Sequence, residues 1–265
     1  MFIFLYKNNQ INSIMNLGSE DMHISSLENT HIKDIIKLKN KKYRDLTKTF
    51  IVEGEHLVIE AYKNGLLKEL ILLEDESFNL DVLTTYVTNK LMSSISSLDN
   101  YGTIIGICQM KEEKKIGNKV LILENIADPG NLGTIIRSGV AFNIDTIVLS
   151  LDTVDLYNEK VIRATQGLLF SINIIKRDII TVINELKNND ILILGTKVDG
   201  GNSIDKFNKL KKYALIMGNE GKGMTAETSA LCDDFVYIKT NKLVESLNVG
   251  VATSILLYEL NKELK

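Results

Sequence analysis

A single proline, Pro129, stands among the 265 residues, with only two cysteines, Cys108 and Cys232. The cysteines lie far apart with no CxxC spacing, so they build neither a disulfide framework nor a zinc site. A reducing, cytoplasmic setting is the simpler expectation. His23, His31 and His56 show no metal-ligand spacing, and no metal is expected. Long apolar runs are also missing. The N-terminal stretch MFIFLY ends at Lys7, too short for a signal-peptide core and far too short for a membrane span, so no membrane partner is expected. Charge of one sign is lacking overall: 31 Lys+Arg face 34 Asp+Glu, a formal net charge of −3. With 45% hydrophobic and 25% charged residues, the composition is that of an ordinary globular protein and excludes wholesale disorder.

What is present falls into two organised regions. Residues 1–21 read as an extension, with Met15 and Met22 as alternative starts. The region 22–110 predicts a small α/β domain. Ile32, Ile35, Ile36 and Leu38 recur at helical spacing, which predicts a helix over 31–42. Phe50-Ile51-Val52 reads as a strand, and Gly54 marks the turn into a helix over 55–64. Leu70–Leu73 and Thr103–Cys108 read as further strands with helix-like material between them. The charged run 111–118 (KEEKKIGN) reads as a linker.

The region 119–265 has a stricter rhythm. Val120–Leu123, Thr146–Leu149, Ile191–Leu194, Ala214–Met217 and Phe235–Ile238 are short apolar runs without alternation, as suits strands buried on both faces of a parallel sheet. Helical patterns over 131–142, 178–188 and 246–262 lie between them, predicting an α/β domain with a mostly parallel sheet. In such sheets ligands bind beyond the carboxyl ends of the strands. Three loops there hold unusual residues. The first runs Glu124 to Gly133 and leads toward Arg137, with Asn131 as the expected helix cap. The second, Gly218-Asn219-Glu220-Gly221-Lys222-Gly223, has glycines that let backbone approach a ligand closely. Its glycine order is neither GxGxxG nor Walker A. The third is Glu245-Ser246-Leu247-Asn248-Val249, where Ser246 or Asn248 caps the last helix.

Three motifs, Asn131-x-Gly133-x-x-x-Arg137, Gly218-Asn219-Glu220-Gly221-x-Gly223 and Ser246-Leu247-Asn248-Val249, give the sequence a resemblance to the SpoU/TrmH family of RNA 2′-O-ribose methyltransferases, within the SPOUT superfamily. Asp155-Leu156-Tyr157-Asn158 and Val161-Ile162-Arg163-Ala164 resemble the family's segment between motifs. Ser26-Leu27 through Lys41-Lys42-Tyr43-Arg44, with Phe50-Ile51-Val52-Glu53-Gly54, resemble the small substrate-binding domain that precedes many such catalytic domains. The resemblance implies a trefoil knot, a departure from the usual avoidance of knots. It implies S-adenosylmethionine as cosubstrate, with Gly218, Ile238 and Leu247 lining the adenosyl pocket and Thr196, Asn219 and Gly221 beside them. A homodimer whose sites are completed by the other subunit is implied too. Arg137 is expected to act on the ribose 2′-hydroxyl and adjacent phosphate, oriented with the ribose by Asn131, Glu220, Ser246 and Asn248. The chain departs from the family at Lys239, where proline is common, at Glu159 within Asn158-Glu159-Lys160, and at Gly250.

RNA affinity calls for basic surface. Residues 31–50 hold seven basic side chains against two acidic ones. Lys33, Lys37, Lys41, Lys42 and Arg44 of that strip are the candidate RNA contacts, with Tyr43 a candidate base-stacker. The resemblance of the N-terminal region favours ribosomal RNA of the large subunit. A tRNA methyltransferase and a non-catalytic RNA-binding assembly protein on the same fold stand as alternatives. A dinucleotide oxidoreductase is disfavoured by the glycine order and by lysines, Lys239 and Lys242, where the ribose-binding acid would fall.

Overall fold

The computed structural model describes residues 21–198, 200–207 and 210–262. The extension expected over 1–21 therefore lies, but for Asp21, outside the described residues. The first part of the chain forms strands β1 (Met22–Ile24), β2 (Thr49–Glu53), β3 (Leu67–Leu73), β4 (Leu83–Val87) and β5 (Ile104–Gln109). Helices α1 (Thr30–Lys37), α2 (Lys41–Thr47), α3 (Glu55–Lys63) and α4 (Asn89–Ile95) alternate with them. The strands make a mixed sheet of order β1-β4-β3-β5-β2, with β5 antiparallel to both its neighbours.

Where a single helix over 31–42 was expected, two short ones occur. The Asn40 side chain accepts from Lys42 N–H and caps a new helix, so the chain turns after Leu38. The short strands β1 and β4 fall outside the expected set, β4 inside the material read as helix. Thr84 and Thr85 of β4 are β-branched and buried, which favours the pleated conformation.

The second part comprises β6 (Lys119–Leu123), β7 (Thr146–Leu149), β8 (Asn173–Lys176), β9 (Leu192–Thr196), β10 (Asn202–Ser203), β11 (Tyr213–Met217) and β12 (Asp234–Tyr237). Helices α5 (Pro129–Ala141), α6 (Glu159–Thr165), α7 (Ile179–Lys187), α8 (Ala226–Ala230) and α9 (Val249–Asn261) accompany them. The sheet order is β10-β12-β9-β11-β6-β7-β8, and its pairings are parallel. Two faces explain the missing alternation. Leu121, Leu123, Leu215 and Met217 pack in one cluster with Leu132, Ile135, Ile136, Leu256 and Leu257 of α5 and α9. Val120, Ile122, Ala214 and Ile216 pack in another with Val182, Ile183 and Leu186 of α7. The apolar side chains Val120–Leu123 of β6 and all five residues of β11 are thus buried whichever way they point.

The core is continuous between the two sheets. Phe50 of β2 meets Tyr157 at a ring-centroid distance of 4.6 Å and Phe170 at 6.0 Å. Among the described residues no helix is long and apolar enough to cross a membrane.

Candidate active site

The loops at the carboxyl ends of β6, β11 and β12 are tied together by side-chain hydrogen bonds. Glu220 is the hub. Its carboxylate accepts from the backbone N–H groups of Ala127 and Asp128, both at 3.3 Å, from Asn131 Nδ2 at 3.1 Å and from Asn219 Nδ2 at 3.3 Å. Asn131 Oδ1 in turn accepts from Asn248 Nδ2 at 2.8 Å. One chain of contacts therefore joins all three motifs. Partial burial pushes the Glu220 carboxyl up, but the hydrogen bonds from Asn131 and from surrounding backbone N–H groups outweigh it and hold it below the ordinary carboxylate range. An ionised, fully engaged carboxylate is a brace rather than a proton acceptor.

Asn131 is not the helix cap expected of it. Asp128 caps α5, its Oδ1 accepting from Asn131 N–H at 2.7 Å, because Pro129 occupies the first helical turn and needs no hydrogen-bond partner for its nitrogen. That releases the Asn131 side chain for the bridge between Glu220 and Asn248. Asn248 does cap its helix: its Oδ1 accepts from Gly250 and Val251 N–H at 2.9 and 3.2 Å. Gly133 serves packing. A Cβ there would lie 2.2 Å from Ala164 Cβ, so the residue lets α5 and α6 approach closely.

The glycine-rich loop closes on itself. Asn219 and Gly223 exchange backbone hydrogen bonds at 3.0 and 2.9 Å, with Gly223 at φ +69°. A Cβ on Gly218 would sit 2.3 Å from Gly223 C and Met224 N, so no other residue fits without opening the turn. Asn219 spends its side chain on the loop, donating to Asn125 O at 2.7 Å and accepting from Gly221 and Lys222 N–H at 3.0 Å.

Beside this turn lies a cavity of about 480 Å³ lined by Thr196, Gly218, Asn219, Gly221, Ile238 and Leu247, together with Glu220, Lys222 and Ser246. Met217, Val236, Val249 and Leu256 complete an apolar wall. The volume and the mix of apolar wall and polar rim suit a nucleoside-sized ligand. Thr196 Oγ1 donates to Ile216 O at 2.9 Å, so it contributes shape more than a free hydroxyl. Arg137 stands apart. Among the described residues it has no hydrogen-bond or ion-pair partner, it is exposed, and it is not one of the cavity's lining residues. Ser246 likewise makes no side-chain hydrogen bond among the described residues.

A further support lies beneath the site, outside the motifs. Buried Glu124, at the end of β6, accepts from Thr225 N–H at 3.0 Å, Thr225 Oγ1 at 2.8 Å and Thr228 Oγ1 at 2.7 Å, fastening the exit of the glycine loop. The one legible signal was an acid ending an apolar run.

The basic strip differs from expectation at Arg44, whose residue is only 6% exposed. Its guanidinium donates to Leu38 O and Lys39 O at 2.7 and 2.8 Å and to Asp155 Oδ2 at 2.5 Å. It is thus turned inward, away from any surface RNA. The physical reason is that the two carbonyls after α1 and the Asp155 carboxylate, in the loop after β7, give its planar guanidinium three oxygen acceptors in place of water. Lys33, Lys37 and Lys41 remain exposed but pair with Glu28, Asp34 and Asp45. Lys42 is exposed and, among the described residues, unpaired. Among the described residues no group of three or more His, Cys, Asp and Glu side chains could hold a metal ion.

Comparison with known proteins accords with this geometry. Residues 118–258 match the model of the SpoU rRNA methylase family, and residues 29–106 match an MRM3-like substrate-binding domain. The chain is 36% identical over 243 residues to the 23S rRNA (guanosine(2553)-2′-O)-methyltransferase RlmP of Bacillus subtilis, covering 89% of this chain and 98% of that protein. A crystal structure of an rRNA methyltransferase from Sinorhizobium meliloti superimposes with a TM-score of 0.81 at 30% identity, covering 92% of this chain and 98% of that one. An S-adenosylmethionine-bound structure of the Sinorhizobium meliloti rRNA methyltransferase gives 0.80 over the same shares at the same identity.

Proposed function

The chain belongs to the SpoU family and is an S-adenosylmethionine-dependent RNA ribose 2′-O-methyltransferase, and from that premise we propose that its substrate is large-subunit ribosomal RNA. The observation that carries the reading is the hydrogen-bonded meeting of three loops beside a cavity of about 480 Å³. The substrate class is supported by the Bacillus subtilis relative, whose named target is a guanosine of 23S rRNA, and by the N-terminal substrate-binding match.

The residues present fit the cosubstrate. Met217, Ile238, Leu247 and Leu256 offer an apolar slot for adenine, the backbone of Gly218–Gly223 a polar rim, and Lys222 a charge suited to a ligand carboxylate. When bound, S-adenosylmethionine supplies an electrophilic methyl group on a positively charged sulfur. Arg137, free of internal partners, binds the phosphate next to the target ribose and stabilises the oxyanion that develops as the 2′-hydroxyl loses its proton. It does not take that proton itself, because an arginine side chain stays protonated in proteins; the proton passes to solvent at the open rim of the site. Asn131 and Asn248, held by Glu220, orient the ribose, and Ser246 contributes a free hydroxyl at the rim. The chain segment through these loops forms the knot implied by the family.

Residues 22–110 act as the RNA substrate-binding domain, 111–118 as a linker and 119–265 as the catalytic domain. Lys33, Lys37, Lys41 and Lys42 supply the docking charge. A homodimer completes the site. Val251, Ile255 and Tyr258 leave an apolar stripe exposed along α9 at helical spacing, which a second copy covers, bringing partner groups toward Arg137. The enzyme works in the cytoplasm, where its substrate is.

Transfer of labelled methyl from S-adenosylmethionine to separated large-subunit rRNA, small-subunit rRNA and bulk tRNA tests this reading. Alkali-resistant dinucleotides from the large-subunit RNA are expected, because a 2′-O-methyl blocks cleavage at its own phosphodiester. Label in tRNA alone would overturn the substrate assignment. Failure to bind S-adenosylmethionine would overturn the catalytic one.

A further inference from the structure

The most buried charge between the two sheets is Arg44, and its bonds lead toward the active site. Asp155, its partner at 2.5 Å, sits in the loop after β7 and is itself mostly buried, its side chain 19% exposed against 7% for Arg44. The same loop is fastened to the foot of the catalytic loop. Val154 N–H donates to Ile126 O at 2.9 Å. Ser150 Oγ accepts from Asn125 N–H at 2.9 Å and donates to Asn125 Oδ1 at 2.8 Å. Asn125 O then accepts from Asn219 Nδ2 at 2.7 Å, and Asn219 Nδ2 reaches Glu220. At its other end, Arg44 grips the carbonyls of Leu38 and Lys39, where α1 gives way to the lysine-bearing α2.

Direct contact between Arg44 and RNA is excluded by space. The crevice it lines, with Lys39, Glu53, Tyr157, Glu159 and Arg163, measures about 20 Å³, room for about one water and not for a phosphate. The aromatic contacts of Phe50 with Tyr157, and the bond from Lys111 N–H to Tyr157 Oη at 3.2 Å, surround the same junction.

We infer that Arg44 is a positioning residue: through Asp155 it locks the basic helices onto the loop 150–158, and so fixes RNA docked on the strip in register with Arg137 and the Glu220 network. The inference rests on the proposed RNA-methyltransferase reading. Because a buried guanidinium bonded to three oxygens in two structural units has a definite geometry, its removal frees the orientation of one unit relative to the other rather than the affinity of either for its ligand.

The test compares full-length Arg44→Ala, Asp155→Asn and the double variant with wild type, using S-adenosylmethionine and large-subunit rRNA. Asp155→Asn changes no side-chain volume and guards against simple failure of Arg44→Ala to fold. Each single variant is expected to lower kcat at least tenfold. Affinity for S-adenosylmethionine, affinity for RNA and the salt dependence of RNA binding should stay within about twofold of wild type. The double variant should be no worse than the poorer single one, and backbone amides 153–158 should exchange hydrogen faster in all three.

Weaker RNA binding with a shallower salt slope in Arg44→Ala alone would instead make Arg44 a phosphate contact, and additive losses would make the two residues independent. Lower stability with wild-type kcat per folded molecule would leave it merely structural. If wild type transfers no methyl to RNA, the methyltransferase reading falls, and the exchange rates still judge the lock: unchanged exchange at 153–158 in Asp155→Asn overturns it.

Discussion

The basic strip and the catalytic loops handle polar groups in opposite ways. On α1 and α2 the lysine pairings are local: Lys33 with Glu28, Lys37 with Asp34, Lys41 with Asp45, all on exposed surface. Such pairs contribute little to stability and are readily exchanged for phosphate. At the three loops the partners come from distant segments, Asn131 with Glu220 and Asn248 with Asn131, while Arg137 has no partner among the described residues. A surface that must bind and release a polyanion keeps its charges cheaply screened. A site that must hold one geometry spends its hydrogen bonds on itself and leaves Arg137 and Lys222 open to a ligand.

The largest way to break this contrast is Arg137→Ala. Methyl transfer should fall by two to three orders of magnitude, the usual cost of removing one donor to a developing oxyanion. S-adenosylmethionine affinity by calorimetry should change less than about twofold, and equal loss of both would make Arg137 structural. Next comes Glu220→Gln. Its amide presents N–H groups to the N–H donors of Ala127 and Asp128, so kcat should fall roughly tenfold with a smaller rise in KM.

Asn248 separates two roles of one side chain. Asn248→Asp keeps the cap on α9 but loses the donor to Asn131, whereas Asn248→Ala loses both. The alanine variant alone should show a lower Tm, by the ~1 kcal/mol typical of a lost cap, while both should lose activity.

Smaller effects sharpen the other side. Lys42→Ala, at a lysine with no partner among the described residues, should reduce the salt slope of RNA binding by about one. Alanine at Lys33 or Lys37 should reduce it by less, measured by filter binding across a salt series.

The smallest effect concerns pH. The His31 ring bonds Glu69 at 2.8 Å, and that bond raises its pKa above the ordinary 6.5 against the opposing pull of burial. The stabilisation is therefore complete below pH 6.5 and lost as pH rises through the raised value. Thermal melts from pH 6 to 9 should show the first sheet weakening in wild type and a flatter profile in His31→Gln.

The three loops were legible because parallel strands read as unbroken apolar runs, and the polar, glycine-bearing segments that follow three of them carry the motifs on which the family resemblance rests. Their mutual bonding was not, since nothing in a string tells Asn131 that Asp128 will take the cap. The misreading of Arg44 has the same root. Composition counts its charge with Lys41 and Lys42, but Asp155, over a hundred positions away, decides which way it faces. Strands β1, β4 and β8 escaped because three to five residues carry too little pattern, and their strand state comes from pairing with neighbours. The lone proline, Pro129, was visible in the sequence; that it would open α5 and leave the cap to Asp128 was a question of three-dimensional register.

The sheet order also sets a schedule. Strand β11 inserts between β9 and β6 and pairs residue for residue with β6, yet it follows β6 by roughly ninety residues. At synthesis rates of about 5–20 residues per second, that interval lasts roughly 5–20 s. Throughout it β6 can pair with β7 on one side only, and its other edge stands open to any passing strand. The glycine loop, which follows β11, and the cap of α9 arrive later still. A nascent chain therefore carries its basic helices α1 and α2 complete long before the loops around Glu220 can meet.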